Sequence, residues 1–217
     1  MAIDFLMTAT CRPKIIRNAL ASFSSMLINN AFDSRVLYLN VDPVPVGANR
    51  KKVVRVCEEF FGTVVCRQPK KPNFSLAQQW CFSASCSELV FNLQDDWNLL
   101  KRVDLEEMAR LLLDKHKLDD RIVQAKLPYR PNATRSKLFL SPSLMMGDFC
   151  RSFAKRMVPE RNPEVQLRSQ GTGRSFIYPA VQGSIVKDIG RKWLKEHGFS
   201  RAYTGSRRLT FVRWDVV

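Results

Sequence analysis

Two adjacent carboxylates, Asp95 and Asp96, followed at once by Trp97, are the residues best placed for chemistry in this 217-residue chain. They end the run Leu89-Val-Phe-Asn-Leu93, whose apolar character reads as a strand covered on both faces. Carboxylates leaving the C-terminal end of such a strand face the ligand crevice of an α/β domain. Oxygen ligands there suit Mg²⁺ or Mn²⁺, hard cations that take one or two carboxylates plus substrate phosphates. In isolation an Asp-Asp pair serves equally as a turn and a helix cap. The elements that carry the pair must decide.

Upstream, Ile3-Asp-Phe-Leu-Met-Thr-Ala9 reads as a first strand. A helix follows over about 14–29, with Ile16, Leu20, Phe23 and Leu27 on one face and Pro13 in its first turn. Arg35–Val41 is a second strand, closed by Asp42 and two prolines. Asn49 caps a helix carrying Val53, Val56, Cys57 and Phe60, with Gly62 as its stop. Thr63–Arg67 is a third strand, 75–85 a third helix, and the Asp-Asp strand the fourth. A β-α-β-α-β-α-β series with short links predicts an α/β domain built on a parallel, helix-covered sheet.

Downstream, Asp104 and Glu107 form a capping-box pattern before a helix bearing Leu105, Met108 and Leu112. Strands are expected at Arg121–Lys126 and Lys137–Leu140, flanking a basic loop that contains Arg130 and Arg135. A helix is expected from Ser143 to Met157, and a short helical segment near Glu164. Gln170–Arg174 reads as a flexible loop. A helix over Ser184–His197 would stack Ile185, Ile189 and Trp193 inward and line up Lys187, Arg191 and Lys195 outward, either as a solvated face or as a phosphate rail. Leu209–Trp214 would be a last strand. No repeat or long linker divides the chain, so residues 1–217 are read as one domain.

Charge separates the halves. Residues 1–120 hold 16 Lys and Arg against 14 Asp and Glu, whereas residues 121–217 hold 19 against 6. A basic excess confined to one region suggests a polyanion partner, the alternative being a general solubilising surface. The six cysteines lack a C-x-x-C pair and read as reduced core residues. With no signal-peptide layout and no apolar run of membrane length, the expected location is the cytoplasm.

Phe5-Leu-Met-Thr-Ala-Thr-Cys-Arg-Pro13, Asp42, Pro72-Asn-Phe74 and Phe91-Asn-Leu-Gln-Asp-Asp-Trp97 occur in the order seen in GT-A glycosyltransferases. The chain resembles the compact family-2-like members, including ones found in bacteriophages that glycosylate DNA bases. The resemblance implies a GT-A-like domain with a nucleotide-sugar donor half (1–100) and a basic acceptor half (101–217). It implies Thr8, Arg12, Asp42, Asn73, Asp95 and Trp97 beside a UDP-sugar donor. Asp95 and Asp96 would hold Mn²⁺ or Mg²⁺, Asp96 being the direct ligand. Glu164 would be the acceptor-side base, with Asp148 and Asp188 as fallbacks, although at a helix start it could equally stabilise that terminus.

The sequence departs from the family pattern at Gln94, where related enzymes often carry an acid, and at His197, whose place at a helix end does not suit a third metal ligand. The basic half, with Arg130, Arg135, Lys187, Arg191 and Lys195, then points to double-stranded DNA carrying a hydroxymethylated pyrimidine as the acceptor. The alternatives are a glycan, lipid or protein acceptor, or a metal-dependent nucleic-acid protein. No P-loop or dinucleotide fingerprint supports an ATPase or dehydrogenase.

Overall fold

A computed structural model describes residues 2–44, 48–128, 137–179, 183–196, 199–204 and 211–216, with backbone alone for 194–195, 199–204 and 211–216. The first half alternates as its periodicities require: β1 (Ile3–Ala9), α1 (Pro13–Met26), β2 (Leu27–Ile28), β3 (Val36–Val41), α2 (Arg50–Glu58), β4 (Thr63–Arg67), α3 (Phe74–Ala84) and β5 (Leu89–Gln94). Then come β6 (Trp97–Leu99), β7 (Val103–Asp104), α4 (Leu105–Leu118), β8 (Ile122–Lys126), β9 (Ser143–Met146), α5 (Gly147–Ala154) and α6 (Pro163–Gln170). The chain continues through β10 (Arg174–Ile177), β11 (Val186–Asp188), α7 (Gly190–Glu196), β12 (Phe199–Thr204) and β13 (Phe211–Val216).

Seven strands form the central sheet in the order β10-β8-β9-β5-β1-β3-β4. Neighbours are parallel except around β9, which runs antiparallel to both β5 and β8. Helices α1 and α2 pack on each other, while α3 lies on β1 and β3 beside α5. The right-handed crossover from β4 back to β5 puts α3 on the face opposite α1 and α2. Phe5, Leu6, Met7, Leu37, Leu39, Leu89, Val90 and Phe91 are completely buried between these layers. One hydrophobic core runs from Ile3 to Val186 and joins both halves. Three side ribbons, β2-β7, β6-β11 and β12-β13, complete the pairing.

Local chemistry sets the helix starts. Asn49, Asn73 and Asp104 accept backbone N–H groups at the heads of α2, α3 and α4. Glu107 does not close a capping box; its carboxylate instead takes the Tyr178 hydroxyl.

The later chain corrects four expectations. Lys137–Leu140 is not a strand but a loop whose carbonyls are held by side chains of the sheet. Ser143–Met146 is a strand, not the start of a helix, because it fills the gap between β5 and β8. Part of the Gln170–Arg174 loop becomes helix and strand, since α6 ends at Gln170 and β10 begins at Arg174. The helix expected over Ser184–His197 is a strand, Val186–Asp188, and a seven-residue helix that starts only at Gly190. Lys187 therefore lies on β11 and forms no helical stripe with Arg191 and Lys195.

Candidate functional site

The chain leaves β1 for β3 and β4 on one side and returns to β5 on the other, so the order reverses between β1 and β5. A crevice opens at the C-terminal ends of strands flanking such a switch point. Thr10 and Arg12 follow β1 there, and Asp95 and Asp96 follow β5.

These residues meet in one buried ionic cluster. The Nη2 of Arg12 donates to both oxygens of Asp95 at 3.0 Å and to Oδ2 of Asp96 at 3.1 Å. Its Nε donates to Thr10 Oγ1 at 2.7 Å. The backbone N–H of Thr10 donates to Asp95 Oδ2 at 3.1 Å, with the Thr10 hydroxyl 3.4 Å from the same oxygen. Arg12 is 4% exposed and each aspartate 5%, so little water reaches the charges. One nitrogen of the guanidinium thus serves both acids while Nε fixes its plane on Thr10. Burial, reinforced by the charge of Asp95, pushes the Asp96 carboxyl up to about 6, with Arg12 pulling the other way.

A segment from the far end of the chain packs on this cluster. Strand β11 pairs with β6 and places Asp188 opposite Trp97. Ile189 N–H donates to the Asp96 carbonyl at 2.8 Å. A Cβ at position 190 would lie 2.0 Å from Asp96 Oδ2, so only glycine fits there. Trp193 lies over the Arg12 guanidinium, 5.5 Å from the ring centre. Asp188 caps the following turn through Gly190 N–H at 2.9 Å and pairs with Arg191 at 3.1 Å.

A second polar centre lies at the end of β3. Asp42, 8% exposed, accepts the Asn40 amide at 2.8 Å and the Asn73 backbone N–H at 3.1 Å. Burial raises its carboxyl above the ordinary value, against the pull of those two donors. Asn73 caps α3 and reaches the Pro159 carbonyl with its amide.

The expected site residues thus divide. Arg12, Asp95 and Asp96 are in direct contact; Asp42 and Asn73 form a neighbouring pair. Trp97 is half-buried on β6, and Thr8 is half-buried beside Asn40 and Gln94 in the sheet register. Glu164 sits in the first turn of α6 and pairs with Arg168 at 3.1 Å, with no contact to the carboxylate pair. Asp148 pairs with Arg151 on α5. The fallback Asp188 is the acid brought beside Asp96. Lys187 and Arg191 are exposed. Arg130, Arg135, Tyr129 and His197 lie outside the described residues, as do the side chains of Lys195 and Tyr203.

Gln94 turns away from the pair. With Asn92 it donates to the Leu140 carbonyl, while Gln124 holds both backbone groups of Phe139. Lys126 and Ser175 hold the Lys137 carbonyl at 2.8 and 2.7 Å. These side chains clamp the 137–142 loop onto the sheet. Lys126 is itself 4% exposed, and burial pushes its ammonium down to about 8. Sequence reading missed Thr10, Gly190 and this clamp; Gly190 alone left a local signal, a glycine inside an expected helix.

For a divalent cation the protein supplies a sparse donor set. No group of three or more His, Cys, Asp or Glu side chains converges among the described residues. Two carboxylates fit a Mg²⁺ or Mn²⁺ that takes its remaining ligands from phosphate and water. Both oxygens of Asp95 accept from Arg12, one also from Thr10, and Oδ2 of Asp96 accepts from Arg12 as well.

No family model and no curated protein sequence matches this chain. Solved structures do match its fold. S. aureus TarS 1-349 in complex with UDP-GlcNAc aligns with a TM-score of 0.60 at 10% identity, over 84% of this chain and 57% of that one. The mannosyltransferase PcManGT from Pyrobaculum calidifontis, in complex with GDP-Man and Mn²⁺, gives 0.59 at 10% identity, over 84% and 56%. CMP:2-keto-3-deoxy-manno-octonic acid synthetase with CTP gives 0.54 at 12%, over 90% of this chain and 97% of that one. The chain spans 36% to 59% of the TarS and mannosyltransferase chains. The fold is the GT-A-like α/β architecture expected from the sequence, shared with nucleotide-sugar glycosyltransferases.

Proposed function

We propose that the chain is a glycosyltransferase that moves a sugar from a nucleotide-sugar donor, a UDP-sugar in the first instance, to a hydroxyl acceptor. The observation that carries the reading is the buried Arg12–Asp95–Asp96 cluster at the switch point of a GT-A-like sheet. That position is where a donor diphosphate would lie, and two of the fold's structural neighbours are bound to nucleotide sugars.

Asp96 would be the protein ligand of a Mn²⁺ or Mg²⁺ shared with the diphosphate, and the cation would neutralise charge on the leaving group. Arg12 and the Thr10 N–H hold Asp95 in place and fix the orientation of the pair. Asp42 and the Asn73 N–H, an acceptor and a donor side by side, suit the nucleoside. The sequence pointed to Glu164 as the acceptor-side base; Asp188, opposite Trp97 and beside Asp96, is the better placed carboxylate. A base there would take the proton of the attacking hydroxyl if the anomeric centre inverts. Gly190 and Trp193 exclude water from the cluster.

For the acceptor we propose a polyanion, specifically a hydroxymethylated pyrimidine in double-stranded DNA. The support is the 19-to-6 excess of basic residues after residue 120. Incubation with hydroxymethylated duplex DNA and labelled UDP-sugars should transfer label to the DNA; transfer only to a glycan, lipid or protein would remove the DNA assignment and leave the enzyme class. Among the described residues no helix is long and apolar enough to cross a membrane.

The near-complete overlap with the CTP-bound synthetase supports a second reading, a nucleotidyltransferase that joins a sugar acid to CMP. Release of pyrophosphate from CTP in the presence of a sugar acid, with no turnover of nucleotide sugars, would select it.

A further inference from the structure

Residues 1–100 carry 11 Lys and Arg against 8 Asp and Glu, and four of those cations lie together. Lys14 and Arg17 on α1 and Lys52 and Arg55 on α2 line an open cleft of about 280 Å³ together with Pro13, Val56 and Glu59. Each pair is spaced i, i+3, so each places like charges side by side on a helix, an arrangement that costs a few tenths of a kcal/mol per pair. The single acid of the cleft is already committed, because Glu59 forms a two-point pair with Arg17. Lys14, Lys52 and Arg55 are exposed and form no ion pair among the described residues. The cleft opens at the first turn of α1, two residues from Arg12.

We infer that this cleft binds one linear phosphate chain through its backbone charges. The cleft is open to solvent, so a phosphate chain can run across it past Lys14, Lys52 and Arg55. It has no aromatic side chain in its lining, so bases have nothing to stack on and the phosphates are what it reads. The inference concerns binding alone and stands whether or not the crevice transfers a sugar.

The test is fluorescence anisotropy of a labelled oligothymidylate of about 12 nucleotides across a salt series, with inorganic polyphosphate as competitor. Three proteins are compared: wild type, K14E/K52E/R55E, and the control R102E/R110E/K117E, which makes the same change in net charge on exposed residues outside both the cleft and the basic region after residue 120. The neutral K14Q/K52Q/R55Q variant serves if reversal disturbs folding. The groove variants should lose at least tenfold in affinity, and their salt slope should fall by about 2 for three lost single-strand phosphate contacts. The control should bind within about threefold of wild type, and polyphosphate should displace the oligonucleotide from wild type. Equal losses in groove and control variants would reduce the effect to net charge and overturn the assignment. Unchanged binding in the groove variants, or polyphosphate that fails to compete, would overturn it as well.

Discussion

Two carboxylate centres share the C-terminal edge of the sheet and are compensated in different ways. At the end of β5, Asp95 and Asp96 are held by a full cation, the guanidinium of Arg12. At the end of β3, Asp42 forms no ion pair among the described residues; it is held by the amide of Asn40 and the backbone N–H of Asn73, with a weaker pull from the charge of Arg67. The difference fits the roles proposed for the two centres. A centre that gathers two negative charges in a site 5% exposed needs a counter-charge before it can approach a diphosphate. A single acid can be satisfied by two N–H groups, and it keeps directional hydrogen bonding of the kind that distinguishes one base from another.

The contrast can be broken at its strongest point first. Arg12→Ala would leave two buried carboxylates without their cation and should cost about 3–5 kcal/mol in urea unfolding. Arg12→Lys should recover only part of that, because one ammonium cannot keep both the Nη2 contacts to the acids and the Nε contact to Thr10. Equal stability of Arg12→Lys and wild type would show that the second donor of the guanidinium is irrelevant.

Asp96→Asn should act through pH. The folded carboxyl titrates near 6, above its ordinary 3.8, so its contribution to stability is full below 3.8 and is lost as pH rises through about 6. Wild type should therefore lose on the order of 1–3 kcal/mol relative to Asp96→Asn between pH 4 and pH 7. Parallel stability curves for the two proteins would contradict a raised carboxyl.

The dipole-held centre should respond less. Asp42→Ala removes the acceptor of two buried donors and should cost about 1–2 kcal/mol. Asp42→Asn should cost about 0.5 kcal/mol or less, since Asn40 can turn its amide and offer the Oδ1 that is buried without a hydrogen bond. Asn73→Ala falls between them, at about 1 kcal/mol for the lost cap of α3. Thermal or urea unfolding ranks all three, and an Asp42→Asn protein less stable than the Asp42→Ala protein would refute the dipole description.

The halves of the chain were not equally legible. From β1 to β5 the sheet strands are short apolar runs and the helices show apolar faces, so most elements follow from neighbours in sequence; the exception is β2, which takes Leu27 and Ile28 from the expected end of α1. Asn49 and Asp104 cap where local chemistry puts them, while the cap at Asn73 went unread. Beyond residue 120, partners far away in sequence decide. Ser143–Met146 contains good helix formers, yet it becomes a strand because β5 and β8 leave a slot for it. Lys137–Leu140 imitates a strand because its apolar Leu138 and Leu140 are buried in a loop that Asn92, Gln94, Gln124 and Lys126 hold in place.

Within the site, Asp95 and Asp96 were legible from their types and positions, and Arg12 only through the family resemblance. The closing segment was not. Ile185, Ile189 and Trp193 are spaced for one helix face, but Gly190 is there to let the backbone meet Asp96. The packing of residue 190 on residue 96, and with it the approach of Asp188, depends on the β6-β11 pairing, which local sequence does not encode.

The most direct test of the account is a thermal-shift panel of nucleoside diphosphates, nucleotide sugars and CTP, with and without Mn²⁺, on wild type and Asp96→Asn. A ligand at about 100 times its Kd should stabilise the native state by about 2.7 kcal/mol. The account predicts such a shift with a nucleoside diphosphate or its sugar conjugate, dependent on Mn²⁺ and lost in Asp96→Asn. No shift with any nucleotide, or a shift indifferent to both Mn²⁺ and Asp96, would contradict it.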